Sequence, residues 1–288
     1  MNIIRPSRTN LSCLLFAMTS SAFYLLPSAF GQGALTPSGP PFPTMKSLDQ
    51  VEPRIPIPGG NSGFFIFQPG SYYLTGDIII TNDVSTGIAI DASNVVLDLE
   101  GYSIVCTKSL TQNATGIGAN FVSPPSNLTI RNGRIMGFNF GVVSTMNNTT
   151  IENLTLSDIR MWGINIGGPG TNRFVANIRD NIIVNVDLNQ SGMPNNRAAG
   201  ILLQGVSGVV EHNSIMGVFG LTGSPSLYGE GMELAVPANG YLEVVNNRVA
   251  NANTGITFFS GPIVYRDNIV MACTNHYSGS ATNLGNNF

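Results

Sequence analysis

The chain has 288 residues and a net charge of −3, and only 10% of its residues are charged, against about 25% in an average soluble domain. It has no run of Lys and Arg, so the sequence predicts no nucleic-acid partner, which would need a basic stripe. Glycine (33 residues) and asparagine supply much of the polar surface, and both residues mark turns. The composition therefore predicts many short strands joined by tight turns.

The first 31 residues have the pattern of a cleavable signal peptide. Arg5 and Arg8 precede a mostly apolar stretch at 11–26, and small residues at 28–31 provide a cleavage site. A membrane anchor is the alternative, but hydroxyl residues and Pro27 interrupt the segment, and a span needs roughly 20 apolar residues. We expect a secreted or extracytoplasmic protein with no membrane span in its mature chain.

A proline-rich stretch follows at residues 32–63. It contains seven prolines, so we interpret it as an extended leader rather than a central strand or a helix. Apolar residues at 64–67 and 72–74 then flank a turn signal, Gln68-Pro69-Gly70-Ser71. We expect residues 64–86 to cap one end of a single domain that covers residues 64–288, because an open end would expose strand edges and core.

Two short repeats alternate through the rest of the chain. The first is glycine, apolar, any residue, apolar, and it begins at Gly87, Gly116, Gly141, Gly163, Gly200, Gly231 and Gly255. The second is an apolar strand, a turn with asparagine and a short apolar strand. Its turn residues are Asn132, Asn153, Asn181, Asn213, Asn247 and Asn268. One repeat of each kind makes a unit of about 21 residues or more, which indicates a solenoid.

These units predict an all-β fold, a right-handed parallel β-helix of about seven three-strand coils with an N-terminal cap. A single unit cannot bury its apolar face, but stacking makes a continuous core. Asparagine adopts the left-handed conformation at low cost, and its amide can bond the asparagine of the next coil. We therefore expect the six turn asparagines to form a structural ladder. A β-sandwich is the alternative for many short strands, but it would not return to the same two motifs in alternation.

The coil pattern resembles the pectin-lyase-like superfamily of right-handed parallel β-helices. The segments at 43–54 and 68–74 look like the leader of secreted bacterial β-helix repeat proteins of unassigned activity. The resemblance covers residues 43–288. It implies a substrate groove along the outside of the glycine-led strands, and it favours a polysaccharide or cell-surface glycan as partner.

Strand alternation then predicts which side chains face that groove. The residue two after each glycine should point outwards, which gives Ala89, Gly118, Val143, Asn165, Leu202, Glu233 and Thr257. Insertions at 187–199 and 218–230 lie in adjacent coils and could form the walls of the groove. The expected substrate-binding residues are Trp162, Asn165, Gln204, Tyr228 and Thr257. Packing of Trp162 under a loop is the alternative to sugar stacking.

The predicted catalytic chemistry is incomplete. A glycoside hydrolase needs two carboxyl groups roughly 5–9.5 Å apart, whereas a regular strand would direct Glu230 and Glu233 to opposite sides. A calcium-dependent lyase could use Arg197 as base, but it would also need several converging carboxylates. His212 and His276 are the only histidines, so a three-histidine zinc site is excluded, and we predict no metal and no cofactor.

The sequence therefore favours a secreted protein that binds carbohydrate or has a surface-structural role, without an evident catalytic constellation. The alternative is a polysaccharide lyase or glycoside hydrolase with Glu233, Glu230 and Arg197 as catalytic candidates, although ordinary solvated surface is the simpler interpretation of both glutamates. An assembly role, such as trimeric stacking of coils, is a third possibility. Clustered carboxylates and an arginine on the outside of the glycine-led strands would favour an enzyme, and a plain Thr/Asn/Leu surface would favour binding or structure.

Overall fold

The computed structural model describes residues 53–81, 86–107, 114–119, 126–167, 174–190, 197–221 and 228–288. The predicted signal peptide, most of the leader and parts of both insertions lie outside these ranges. In the described ranges, no helix has the length and hydropathy needed to cross a membrane. A short 3-10 helix covers Leu188–Gln190.

The other regular elements of the described chain are short β-strands. In chain order they are β1 (Ile55–Ile57), β2 (Phe64–Ile66), β3 (Gly70–Leu74), β4 (Ile78–Ile80), β5 (Thr86–Ile90), β6 (Val95–Asp98), β7 (Ser103–Cys106), β8 (Thr115–Ala119), β9 (Ser126–Met136), β10 (Phe140–Ser144), β11 (Asn147–Ile159), β12 (Trp162–Gly167), β13 (Phe174–Arg179), β14 (Ile182–Asp187), β15 (Ala198–Gln204), β16 (Val206–Glu211), β17 (Ser214–Phe219), β18 (Gly229–Ala235), β19 (Leu242–Val245), β20 (Arg248–Ala252), β21 (Thr254–Ser260), β22 (Ile263–Arg266), β23 (Ile269–Met271), β24 (Asn275–Gly279) and β25 (Thr282–Asn283).

The strands stack into three faces in which neighbouring strands pair in parallel. The first face, the glycine sheet, has the order β2-β5-β8-β10-β12-β15-β18-β21-β24. The second face has the order β1-β3-β6-β9-β11-β13-β16-β19-β22-β25, and β4, β7, β14, β17, β20 and β23 belong to the third face. The long strands β9 and β11 continue from the second face into the third. This is the right-handed parallel β-helix that the two alternating repeats predict.

The seven glycine-led segments occupy consecutive places in the glycine sheet. On either side of the glycines, Thr86 pairs with Thr115 and Ile88 pairs with Ile117, and the same register continues along the stack. The sheet extends by one strand at each end, with β2 from the predicted cap and β24 after the last glycine. The inward residue after each glycine, for example Ile88 or Met232, is fully buried in one elongated core.

Each repeated glycine lies at a corner that has no room for a side chain. A Cβ on Gly200 would lie 2.7 Å from the side chain of Ile215 on the third face and 2.6 Å from the Gly231 carbonyl oxygen. A Cβ on Gly231 would clash with Val249 in the same way. A side chain at the glycine position would therefore point into the core, and the side chain of the next residue, Met232, also points into the core. Two successive residues face inwards at each glycine, so the alternation of inward and outward residues starts again there.

The asparagine ladder is present, but it consists of two rows where the sequence predicted one. Four asparagines form a buried column in which each Nδ2 donates to the next Oδ1 at 3.0 Å, and the column continues to Asn287: Asn181, Asn213, Asn247 and Asn268. The register places Asn132 and Asn153 one residue earlier, in line with Asp180. Asn153 donates to Asn132 at 2.8 Å near the surface, and both have positive φ angles. Placing Asn132 and Asn153 in the same row as the other four was wrong. The prediction aligned the coils on their asparagines, whereas the structure aligns them on the turn residue with positive φ, which is Asn132 or Asn153 in two coils and Asp180 in the next.

Candidate functional site

The residues two after each glycine form one column along the outside of the glycine sheet, as predicted. Paired strands place Asn165 beside Leu202, Leu202 beside Glu233, and Glu233 beside Thr257. Ala89, Gly118 and Val143 continue this column towards the N-terminal end. The column is the surface on which the sequence placed a groove.

Glu230 and Glu233 lie on the same outer face, so the expectation that they point in opposite directions was wrong. Arg197 joins them, because its Nη2 donates to Glu233 Oε1 at 2.9 Å and its Nη1 lies 3.8 Å from Glu230 Oε1. The reason is the glycine corner: Gly231 and Met232 both face inwards, so the residues on either side of them both face outwards. The three residues that the sequence named as catalytic candidates therefore form one acid cluster, defined here as Arg197, Glu230 and Glu233.

The two glutamates of the acid cluster are buried although they belong to the outer face. Glu230 is 2% exposed and Glu233 is 7% exposed. Burial, and next the neighbouring Glu233 carboxyl, raise the pKa of Glu230 to about 8, while the charge of Arg197 opposes the shift. At neutral pH Glu230 therefore holds its proton for most of the time, beside an Arg197–Glu233 ion pair.

A cleft of about 1200 Å³ opens beside the acid cluster, at the corner between the third face and the glycine sheet. Arg197, Glu230, Tyr228 and Thr257 line it together with residues that the sequence did not assign to a site. Asp187 ends β14, and the additional lining is mainly aromatic, hydroxyl and amide side chains: Phe219, Phe258, Phe259, Thr254, Thr274, Ser278, Asn189, Asn253 and Asn275.

Among the predicted substrate-binding residues, Tyr228 and Thr257 line the cleft, and Trp162, Asn165 and Gln204 do not. Trp162 packs against Phe140 with a ring separation of 4.9 Å, and its Nε1 donates to the Arg197 carbonyl oxygen at 3.1 Å. This placement fits the packing alternative, because the indole supports the chain segment that carries Arg197. Asn165 is buried two strands away in the outward column, and Gln204 is exposed at the end of β15.

The sequence placed Asp187 and Phe219 in the two insertions that were expected to form the walls of the groove, but it named neither as a site residue. It gave no indication of Asn253. All three residues lie near the corner where the third face turns into the glycine sheet, outside the positions of the glycine repeat itself.

In the part of the chain that the structure describes, no group of three or more His, Cys, Asp or Glu side chains could hold a metal ion. His212 lies at the asparagine turn with a φ angle of 55°.

Comparison with known proteins gives no family. No family model matches the chain, and no curated protein matches it. A solved structure of the catalytic domain of a GH87 alpha-1,3-glucanase in complex with tetrasaccharides is similar over 89% of this chain and 71% of that one. The sequence identity is 10% and the TM-score is 0.30, so this likeness carries no conclusion about activity.

Proposed function

We propose that this protein is a glycoside hydrolase that cleaves a polysaccharide in the cleft, with Glu230 as the proton donor. The observation that carries the proposal is the acid cluster, since it places two carboxyl groups and an arginine on the outside of the glycine sheet at the edge of an open cleft. The sequence had named this arrangement as the one that would favour an enzyme over a binding protein. The signal peptide pattern at 1–31 supports the further proposal that the enzyme is exported.

The protonation states of the acid cluster suit general-acid catalysis. A general acid works best when its pKa lies near the operating pH, and Glu230 has a pKa of about 8. The neighbouring Glu233 carboxyl helps Glu230 to retain the proton, and it outweighs the opposing charge of Arg197. Glu230 would give this proton to the glycosidic oxygen as the bond to the anomeric carbon breaks.

Hydrolysis also needs a carboxylate that activates water. Glu233 is unsuited to this role, because it is hydrogen-bonded to Glu230, whereas the two catalytic carboxyl groups of hydrolases are roughly 5–9.5 Å apart. Asp187 lines the same cleft and is the acid we assign as base. It would take one proton from a water molecule whose oxygen attacks the anomeric carbon. Asn189 donates to Asp187 Oδ1 at 2.8 Å and holds the carboxylate in place.

The test is a screen of the purified chain on a polysaccharide panel, with release of reducing ends as the readout. Glu230→Gln should lower the rate by roughly 10²–10⁴-fold, the usual contribution of a general acid. Glu243→Gln is the matched control, because Glu243 is paired with Arg266 on the second face, away from the cleft. Equal activity of Glu230→Gln and the wild-type chain would exclude Glu230 as the acid.

Carbohydrate binding without cleavage is the second candidate. The burial of Glu230 favours it, because an acid that is 2% exposed needs the ligand to reach deep into the cleft before proton transfer. Binding of an oligosaccharide in the absence of any new reducing ends, across the whole panel, would select this candidate.

A further inference from the structure

The charge of the cleft limits the kind of glycan that it can bind. Among the described residues that line the cleft, Arg197 is the one cation, and Asp187 and Glu230 are acids. Arg197 is already ion-paired within the protein, because its guanidinium lies 2.9 Å from Glu233 Oε1 and 3.8 Å from Glu230 Oε1. With Glu230 protonated, the remaining charges of Arg197, Glu233 and Asp187 sum to −1.

A uronic-acid polymer would fit these charges poorly. Its carboxylates are best recognised by arginines that have no other ion-pair partner and can donate two parallel hydrogen bonds to one carboxylate. If Arg197 turned towards such a ligand, Glu233 would lose its ion-pair partner while only 7% exposed, and a buried unpaired charge is strongly unfavourable. Asp187 would repel the same ligand, and the focusing of the field in a cleft strengthens this effect.

The neutral part of the lining suits an uncharged sugar. Phe219, Tyr228 and Phe259 provide apolar ring surfaces on which the C–H face of a pyranose can stack. Asn253 and Asn275 provide amides that can donate and accept hydrogen bonds without a charge. Phe259 is 63% exposed, an unusually open position for a phenylalanine.

Glu230 and Thr257 lie on neighbouring strands of the glycine sheet at the edge of the cleft, and Thr257 is 9% exposed. The Thr257 hydroxyl is close enough to Glu230 to act against the raised pKa of that carboxyl. A hydroxyl can both donate and accept hydrogen bonds, so a sugar hydroxyl can pair with either group without bringing a charge into the cleft.

We infer that the cleft binds an uncharged, hydroxyl-rich glycan made of neutral hexoses or pentoses, and that it excludes polyuronates. This inference rests on the proposed function for the location of the site, but it concerns binding and holds whether or not the bound glycan is cleaved. It narrows the polysaccharide or cell-surface glycan that the resemblance to the pectin-lyase-like superfamily implies.

The test is calorimetric titration of the full chain carrying Glu230→Gln, which keeps the shape of the side chain and slows cleavage. The probes are neutral hexasaccharides (gluco-, xylo-, manno- and galacto-oligosaccharides) and hexamers of galacturonate and mannuronate, each at 20 and 200 mM NaCl. We expect at least one neutral hexasaccharide to bind with an affinity that salt leaves unchanged, and no detectable binding of the uronates. The wild-type chain, titrated briefly at low temperature, should rank the probes in the same order.

Phe259→Ala should lower the affinity for the neutral hexasaccharide about tenfold, which corresponds to the loss of stacking on one aromatic ring. Phe65→Ala is the matched control, because Phe65 is 59% exposed at the other end of the glycine sheet, and it should leave binding unchanged. Uronate binding that weakens steeply with salt would overturn the inference, and so would a folded chain that binds neither class. Neutral binding without cleavage would sustain the inference while contradicting the proposed hydrolase, so the two failures are distinguishable.

Discussion

The buried asparagine column makes a quantitative prediction about stability. Asn213 is 1% exposed, and its Nδ2 donates to the Ile178 carbonyl oxygen at 2.9 Å and to Asn247 Oδ1 at 3.0 Å. Its Oδ1 accepts from the backbone N–H and the Nδ2 of Asn181, at 3.2 and 3.0 Å. The Nδ2 also donates to the Glu211 carbonyl oxygen at 3.0 Å, and Asn247 Oδ1 additionally accepts from the Asn213 backbone N–H, which alanine retains. Asn213→Ala therefore takes a hydrogen bond from four groups, the Ile178 and Glu211 carbonyls and the two Asn181 donors, at about 1 kcal/mol each. We expect a loss of about 4 kcal/mol in the free energy of unfolding.

The matched control is Asn153→Gly in the outer row. Asn153 makes one ladder bond, to Asn132 at 2.8 Å, and glycine accepts its φ angle of 53° without strain. This change should lower the free energy of unfolding by about 1 kcal/mol or less. Equilibrium urea unfolding measures both effects, provided that the m-values agree. If Asn213→Ala lost no more stability than Asn153→Gly, the two-row assignment would be refuted.

Three further predictions concern the acid cluster. Because the pKa of Glu230 is raised from its ordinary 4.5 to about 8, its contribution to stability is fully present below pH 4.5 and lost as the pH rises through 8. Wild-type stability should therefore fall by about 1.4 kcal/mol per pH unit in that window relative to Glu230→Gln, as urea unfolding at several pH values would show; parallel curves would contradict the shift. Gly231→Ala should lower the free energy of unfolding by roughly 1–3 kcal/mol through overpacking, and it should lower the activity by displacing Glu230 and Glu233. Gly60→Ala is the control: no atom lies within 4 Å of the new methyl group, so neither the stability nor the rate should change. Arg197→Gln removes the charge that opposes the pKa shift, so the alkaline limb of the pH profile of kcat/KM should move to higher pH, and an unmoved or lowered limb would exclude the assigned contact.

The fold was predictable because the same physical constraint recurs in every coil. The corner next to the third face has no room for a Cβ, so glycine returns at Gly87 and at each later coil, and the sequence carries the register directly. Similarly, the turn between the second and third faces requires a residue that tolerates positive φ. Asparagine, aspartate and histidine all fill that position, and this is why a prediction based on asparagine alone placed Asn132 and Asn153 in the wrong row.

The site was only partly predictable. The outward column, with Glu233 and Thr257, follows from strand alternation, and the structure places both residues where expected. Glu230 was assigned the wrong direction because the alternation rule assumes a regular strand, whereas the chain turns two successive residues inwards at Gly231. The ion pair between Arg197 and Glu233 joins an insertion to the next coil, and such a contact leaves no periodic trace in the sequence.

Titration of the Glu230 side chain itself is the most direct test of the proposed site. In protein labelled with ¹³C at the glutamate carboxyl carbons, the resonance that disappears in Glu230→Gln identifies this residue. We expect its chemical shift to change with a midpoint near pH 8. A midpoint near the ordinary value of 4.5 would mean that Glu230 is an ordinary ionised carboxylate, and the assignment of a proton donor in this cleft would fail.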